Sequence, residues 1–342
     1  MPIRVAINGF GRIGRNTFKA AFGRMKNLHF VAVNDLTDTK TLAHLLKHDT
    51  AYGLYDHEIG FDEKHITVDG HTIDVYAEKD PALLPWGKEK IDVVLECTGR
   101  FTSEEKASAH IKAGAKLVIL SAPAKGGNVP TYVLGVNADG ETKFGPEKII
   151  NNASCTTNCI APVAKVIEDN FGVKRAFMTT VHGYTADQNL QDGPHKDLRR
   201  ARCAACNIVP TSTGAAIAVT ECIPAMKGLF DGLAIRVPVP VVSLADFTFL
   251  LKKKTTVEEV NAAMKKAADG PMKGVLAVTS EPLVSSDFIK NYNSGIVDLK
   301  LTKVMDGDFL KIIAWYDNEW GYSVRLAEMA ELFAAKMLKP KK

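Results

Sequence analysis

The chain has 342 residues, 46% of them hydrophobic and 24% charged, and a net charge of +4. This is an ordinary globular make-up with length enough for two domains, and the small positive excess suits anionic ligands without arguing for nucleic acid as a main partner. No apolar run reaches membrane-span length, no signal-peptide pattern opens the chain and the end Lys-Pro-Lys-Lys is no organelle address, so the cytoplasm is the expected location. Six cysteines spread over this length do not read as a disulfide framework.

Ile3–Ile7 is an apolar, β-branched run and predicts a strand. Gly9, Gly11 and Gly14 follow in G-x-G-x-x-G spacing, with Phe10, Arg12 and Ile13 between them, and then a helical pattern runs from Arg15 to Met25. Strand, glycines and helix in this order bring a pyrophosphate close to a helix N-terminus. A second strand, His29–Val33, ends in Asn34-Asp35, both candidate cofactor contacts. Asp35 lies about 20 residues past the last glycine, where a carboxylate accepts from a ribose 2′-hydroxyl. Its charge favours NAD over NADP, whose 2′-phosphate it would repel. Helix Thr41–Lys47 and a hairpin around Asp69-Gly70 come next. Strand Ile91–Cys97 runs into Thr98-Gly99, helix Ser103–Ala113 follows, and strand Lys116–Leu120 ends at Ser121. This βαβ rhythm implies a parallel sheet with ligand at its C-terminal edge. Thr98, Gly99 and Ser121 are then cofactor contacts or plain strand-end turns; Lys79 reaches the nucleotide or is merely solvated.

In the centre, Cys155 stands among Asn151, Asn152, Ser154, Thr156, Thr157 and Asn158, between a short strand (Glu147–Ile150) and a helix predicted over Ile160–Phe171. A thiol at a helix start feels the positive end of the dipole, which favours thiolate; the alternative is an inert small hydrophobe. Arg175–His182 reads as a strand ending in histidine, which offers Cys155 a base. Gly183–Pro210 is a long basic loop with His195 and Arg199, Arg200 and Arg202, suited to phosphate or to a subunit interface. Cys203 and Cys206 have C-x-x-C spacing but no companion ligands, so no metal is expected and redox sensitivity is the remaining reading. Thr211-Ser212-Thr213-Gly214 opens another helix, an anion site or an ordinary cap. Strand Gly232–Val237 carries Arg236 in an apolar run, where it needs an anionic partner. Segment Ser243–Lys252 and strands Val275–Val278, Ile296–Leu299 and Phe309–Tyr316, with the one helix Val257–Ala268 among them, predict a mainly antiparallel second sheet. A helix from Tyr322 to Met337 closes the chain.

Taken together, Asn8–Gly14, Asn34-Asp35, Cys97–Gly99, the nonapeptide around Cys155, Thr179–Gln188, His195–Arg202, Thr211–Ala216, Arg236–Pro238 and Trp315–Tyr322 resemble the phosphorylating glyceraldehyde-3-phosphate dehydrogenases over nearly the whole chain. The resemblance implies an α/β protein. A Rossmann-type NAD-binding domain spans residues 1–154 and 319–342, with the terminal helix packed back on it, and an α+β catalytic domain spans residues 155–318. It implies a homotetramer acting on glyceraldehyde 3-phosphate and inorganic phosphate. It makes Cys155 the nucleophile and His182 its activator. Ser154, Thr156, Arg200, Thr213 and Gly214 surround inorganic phosphate; Thr185, Asp187 and Arg236 surround the substrate phosphate. Asn318 orients the nicotinamide carboxamide, while Arg12, Ile13, Asp35, Lys79 and Ser121 hold the rest of NAD with the glycine turn. Leu36 and Pro194 accompany NAD preference.

Gly183, Ile217, Val239 and Val241 depart from the usual pattern, the valines beside Arg236. Two other readings remain. An erythrose-4-phosphate dehydrogenase would share the catalytic pair and release free acid; a binding protein would use the old cofactor groove for RNA.

Overall fold

The computed structural model describes residues 2–142 and 144–337. The chain forms two units. The first holds the chain up to Tyr132, then Asp139–Ala153, then the chain from Ser323; the second holds Val133–Ala138 and Ser154–Tyr322. The expected boundaries, after residues 154 and 318, fall one and four residues from these.

In the first unit an eight-stranded sheet runs in the order Ile149–Asn151, Leu117–Leu120, Val93–Glu96, Ile3–Asn8, Leu28–Asn34, His71–Tyr76, His65–Val68 and Ile59–Phe61. The pairs from Ile149–Asn151 through His71–Tyr76 are parallel; the last two pairs are antiparallel. Helices α1 (Arg12–Ala21), α2 (Thr39–Lys47) and α3 (Glu104–Lys112) connect the strands. Val5, Ile7, Val93, Leu95 and Val118 are fully buried, which is why these strands read as unbroken apolar runs. Asp69 and Gly70, both at positive φ, make the expected hairpin turn. The closing helix begins at Trp320, and its residues from Ser323 onward belong to this unit. There Glu331 accepts from Asn27 at 2.6 Å and Phe333 packs on the Tyr132 ring at 4.9 Å.

The second unit is built on a sheet ordered Val209–Thr211, Phe230–Val237, Val173–Gly183, Ser243–Leu251, Phe309–Tyr316, Gly295–Asp298 and Leu276–Thr279, with Lys303–Met305 also on Phe309–Tyr316. It is mainly antiparallel, as expected. Two pairs are parallel, and one decides the site. Val173–Gly183 runs beside Phe230–Val237 in a register that sets His182 opposite Arg236. Ser243 lies opposite Tyr316 in an antiparallel pair. Four strands thus end at one edge of this sheet.

Helix α4 spans Cys155–Phe171, and helices α5 (Ala215–Cys222) and α6 (Val257–Asp269) follow. α4 starts five residues before its predicted start. Ser154 caps it by accepting from Thr157 N–H at 3.0 Å, and the polar residues Thr156, Thr157 and Asn158 are buried rather than looped out. Among the described residues no helix is long and apolar enough to cross a membrane.

Candidate active site

Two groups of residues carry the chemistry, one in each unit. In the first, a cleft of about 570 Å³ lies at the C-terminal strand ends and is lined by Gly9, Gly11, Asp35, Leu36, Lys79 and Thr98 among others. Gly9 has φ +92, and a side chain there would meet Thr98 N at 2.8 Å. A Cβ on Gly14 would stand 2.2 Å from Gly9 O, so glycine alone lets α1 approach the turn. Gly11 caps α1 without a side chain, nothing lies within 4 Å of its missing Cβ, and the first turn has no acid. The amides of that turn, Ile13 included, are therefore open to an anion. The Asp35 carboxylate accepts from Phe10 N–H at 2.8 Å and Thr37 N–H at 3.1 Å, which fixes it at the strand end. Phosphate-facing amides, a glycine cradle and a fixed carboxylate fit a dinucleotide.

Three details go beyond the sequence reading. Arg12 pairs with Asp49 at 2.7 Å and covers the Tyr52 ring, so its cation is anchored at the mouth of α1. Burial opposes the Asp49 charge, but Arg12 and Lys19 outweigh it and hold the carboxyl below its usual range. Asn34, expected to touch cofactor, spends its amide on Asn8 Oδ1 at 2.7 Å and on Glu78 N–H and C=O, so it braces the turn. Beneath it, Glu96 accepts from Asn8 Nδ2 at 2.5 Å, from Thr98 N–H at 2.8 Å and from His110 Nε2 at 3.0 Å. Trp86 Nε1 donates to His110 Nδ1 at 3.0 Å, which places the ring proton on Nε2. Thr98 is thus fixed by its neighbours. Gly99 turns at φ +69, Ser121 N–H is bonded to Glu96 O, and Lys79 is exposed.

In the second unit Cys155 is the first residue of α4. Ala153, immediately before the cap Ser154, sits at φ +53 with its N–H on Asn151 Oδ1 at 2.9 Å, a strained turn that aims the helix start. Cys155 Sγ lies 3.5 Å from His182 Nε2. His182 Nδ1 donates to Gly183 O at 2.6 Å, leaving the Nε2 lone pair toward the sulfur. Arg236 Nη1 donates to the same carbonyl at 3.1 Å and stands 2.9 Å from Nδ1, a consequence of the strand register. Burial pushes the Cys155 thiol up; Arg236 pulls the other way. Burial and then Arg236 push His182 down to about 3. Burial thus works against charge on both partners and Arg236 works for the thiolate, while the Sγ–Nε2 contact gives the thiol proton a path to the ring. Arg236 Nε is buried without a partner among the described residues, as a side chain awaiting an anion would be.

Tyr316, to which the sequence reading assigned no role, places its hydroxyl 3.0 Å from Thr156 Oγ1 and 2.7 Å from Thr180 Oγ1, directly under the cysteine turn. Arg200 donates to Thr211 Oγ1 at 2.9 Å and Ser212 O at 3.2 Å, and forms a close ion pair with Asp187. The expected division placed Arg200 and Asp187 on opposite phosphate sides; the fold joins them in one cluster, because the basic loop folds back on the strand Val209–Thr211. Thr185 bonds through N–H to Gln188 at 3.3 Å, Thr213 caps Ala215 N–H at 3.2 Å, and Gly214 is the exposed cap of α5. The α5 helix thus opens at Ala215, past the threonines. Asn318 is buried, with Oδ1 accepting from Ser243 Oγ at 2.9 Å.

The departures at Gly183, Val239 and Val241 prove to be one locus. A Cβ on Gly183 would meet Val239 O at 2.8 Å and Val241 N at 3.5 Å. The small residue after the histidine makes room for this valine loop. Ile217 is separate, exposed on α5. Cys203 precedes a short 3₁₀ turn and Cys206 ends it, exposed. No cluster fit for a metal occurs among the described residues.

Comparison with known proteins decides the family. The model of the glyceraldehyde 3-phosphate dehydrogenase NAD binding domain matches residues 3–104, and that of the C-terminal domain matches residues 154–318. The chain belongs to the glyceraldehyde-3-phosphate dehydrogenase family. It is 53% identical to the glyceraldehyde-3-phosphate dehydrogenase of Priestia megaterium, over 99% of this chain and all of that protein. It is 52% identical to that of Geobacillus stearothermophilus over the same shares, and 52% identical to the chloroplastic A form of Chlamydomonas reinhardtii, over 98% of this chain and 89% of that protein. The family's NAD-binding model covers the glycine turn and Asp35, and its C-terminal model runs from Ser154 to Asn318. NAD is therefore the cofactor of the first unit.

Proposed function

We propose that this family member oxidises glyceraldehyde 3-phosphate with NAD and joins the product to inorganic phosphate, a step of glycolysis and gluconeogenesis, through a thioester on Cys155. The observation that carries the reading is the 3.5 Å contact of Cys155 Sγ with the bare Nε2 of a histidine whose other nitrogen is bonded to Gly183 O.

His182 takes the thiol proton, and Arg236 favours the thiolate by its charge. The sulfur adds to the aldehyde carbon, giving a hemithioacetal. His182, restored to neutral, then receives the hydroxyl proton as hydride leaves that carbon. NAD in the first unit supplies the hydride acceptor. Asn318 is the residue that would hold its carboxamide. The carbon is left as a thioester, which keeps the energy of oxidation for the last step. A phosphate oxygen attacks, the carbon–sulfur bond breaks, the acyl phosphate leaves and the thiolate returns. Arg236, with its unpartnered Nε, and Arg200 are the charges for the two anions, with Ser154, Thr156, Thr185, Asp187, Thr213 and Gly214 completing their surroundings.

Two coarser expectations belong here. The protein works as a homotetramer; Phe177 and Leu233, exposed at 67% and 45% on neighbouring strands of the second sheet, support self-association. It works in the cytoplasm. The relatives carry the triose name, and nothing among them favours the erythrose 4-phosphate or RNA-binding alternative.

The test is formation of reduced nicotinamide from glyceraldehyde 3-phosphate with and without inorganic phosphate. A burst of about one turnover per site without phosphate, becoming steady turnover when phosphate is added, is expected. Steady turnover without phosphate would mean hydrolysis and overturn the phosphorylating reading.

A further inference from the structure

Ser243 opens the strand Ser243–Leu251 and is 2% exposed. The residue before it, Val242, has φ +73, a conformation that a β-branched side chain adopts only when its surroundings enforce it. That strained step delivers the Ser243 hydroxyl between two groups of the site. Oγ accepts from Gly183 N–H at 3.2 Å and donates to Asn318 Oδ1 at 2.9 Å. The single hydroxyl proton can go to Asn318 only if the amide turns its oxygen toward Ser243, since Gly183 offers a donor. Reversing the amide would set two N–H donors against Oγ and leave the buried hydroxyl proton without an acceptor. The amide is therefore locked, with its NH₂ turned away from Ser243. The backbone on either side is held too. Asp317 Oδ1 accepts from Glu319 N–H at 3.0 Å and Trp320 N–H at 2.8 Å.

We propose that Ser243 is a positioning residue for the cofactor: it fixes the Asn318 amide so that Nδ2 is the donor presented to the carboxamide oxygen of the nicotinamide ring. The proposal rests on the reading that Asn318 faces that ring. Its chemistry is selective. The site asks for an acceptor on the ring substituent, and the remainder of the nucleotide is indifferent to Ser243. The same hydroxyl accepts from the N–H of Gly183, the residue whose carbonyl holds His182 Nδ1, so one side chain keeps base and cofactor donor in a common frame.

The experiment compares the binding of NAD and of ADP-ribose, which lacks the nicotinamide, to the full-length protein by titration calorimetry. Ser243→Ala should weaken NAD about tenfold and leave ADP-ribose unchanged, and Ser243→Thr, which keeps the hydroxyl, should restore most of the loss. Added to Asn318→Ala, the Ser243→Ala change should cost nothing further, because the two residues act as one unit. Unchanged ADP-ribose affinity also certifies that the variant is folded. Equal loss for both nucleotides, loss for neither, or additive losses in the double variant would overturn the proposal. A wild-type protein that bound ADP-ribose but gained nothing from the nicotinamide would overturn the reading of Asn318 beneath it.

Discussion

In the first unit the ligand-facing groups are largely backbone: the glycine turn, the open first turn of α1 and a carboxylate pinned by Phe10 N–H. In the second unit they are side chains from separate elements: Cys155 from a helix start, His182 and Arg236 from two parallel strands, Tyr316 and Ser243 from two antiparallel ones. Backbone recognition needs space, so it is destroyed by adding an atom in the wrong place. Side-chain chemistry needs particular functional groups, so it is destroyed by removing one. A parallel sheet open at its C-terminal edge suits the first task; a mixed sheet, whose strands arrive at one edge from both directions, suits the second.

The sharpest way to test that separation is Cys155→Ser. Turnover should fall by on the order of 10⁴-fold or more, while calorimetry should find NAD affinity within about twofold of wild type. A parallel loss of NAD binding would break the comparison.

Next in size is a pair of glycines. Gly14→Ala puts a methyl 2.2 Å from Gly9 O and should cost about 1–3 kcal/mol of stability in urea melts, with NAD affinity falling alongside. Gly11→Ala, at φ −72 with nothing near its Cβ, should change stability by less than about 0.5 kcal/mol. Equal effects at the two positions would mean that spare room is not what the turn requires.

A pH series addresses the second unit. His182 is pushed down to about 3 from 6.5, so the fold holds the ring neutral where the unfolded chain takes up a proton. The stability from that difference is fully present above 6.5 and is lost as pH falls toward 3. Urea melts should show wild type losing a few kcal/mol more than His182→Asn across that window. Coincident profiles would place the acid sensitivity elsewhere.

The smallest effect is on cofactor choice. Asp35→Ser removes the charge that opposes a 2′-phosphate and should lower the preference for NAD over NADP about tenfold in kcat/KM, without moving the response to inorganic phosphate. If the phosphate response shifted as well, the two units would not be separable in this way.

These experiments differ in how much of their basis could be read before folding. The glycine turn, Asp35 and the βαβ order were legible because each is local: G-x-G-x-x-G is a statement about neighbouring φ values, and a buried parallel strand announces itself as an apolar run. Cys155 and His182 were legible as residue types in telling places, and the resemblance paired them. The start of α4 at Cys155 was not legible, because Thr156, Thr157 and Asn158 look like loop and are buried by tertiary packing. Asp49, Glu96, His110, Tyr316 and Ser243 were passed over for the same reason: an isolated polar residue carries no period or spacing that marks it.

Local chain chemistry therefore established the fold class, the nucleotide turn and the presence of a thiol and a base. Strand register brought Arg236 to His182, the fold-back of the basic loop drew Asp187 and Arg200 into one cluster, and the packing of separate elements laid Ser243 between Gly183 and Asn318. Register is set by the packing of whole faces, and hydrogen bonds between residues 60 or 75 positions apart form only once that packing exists.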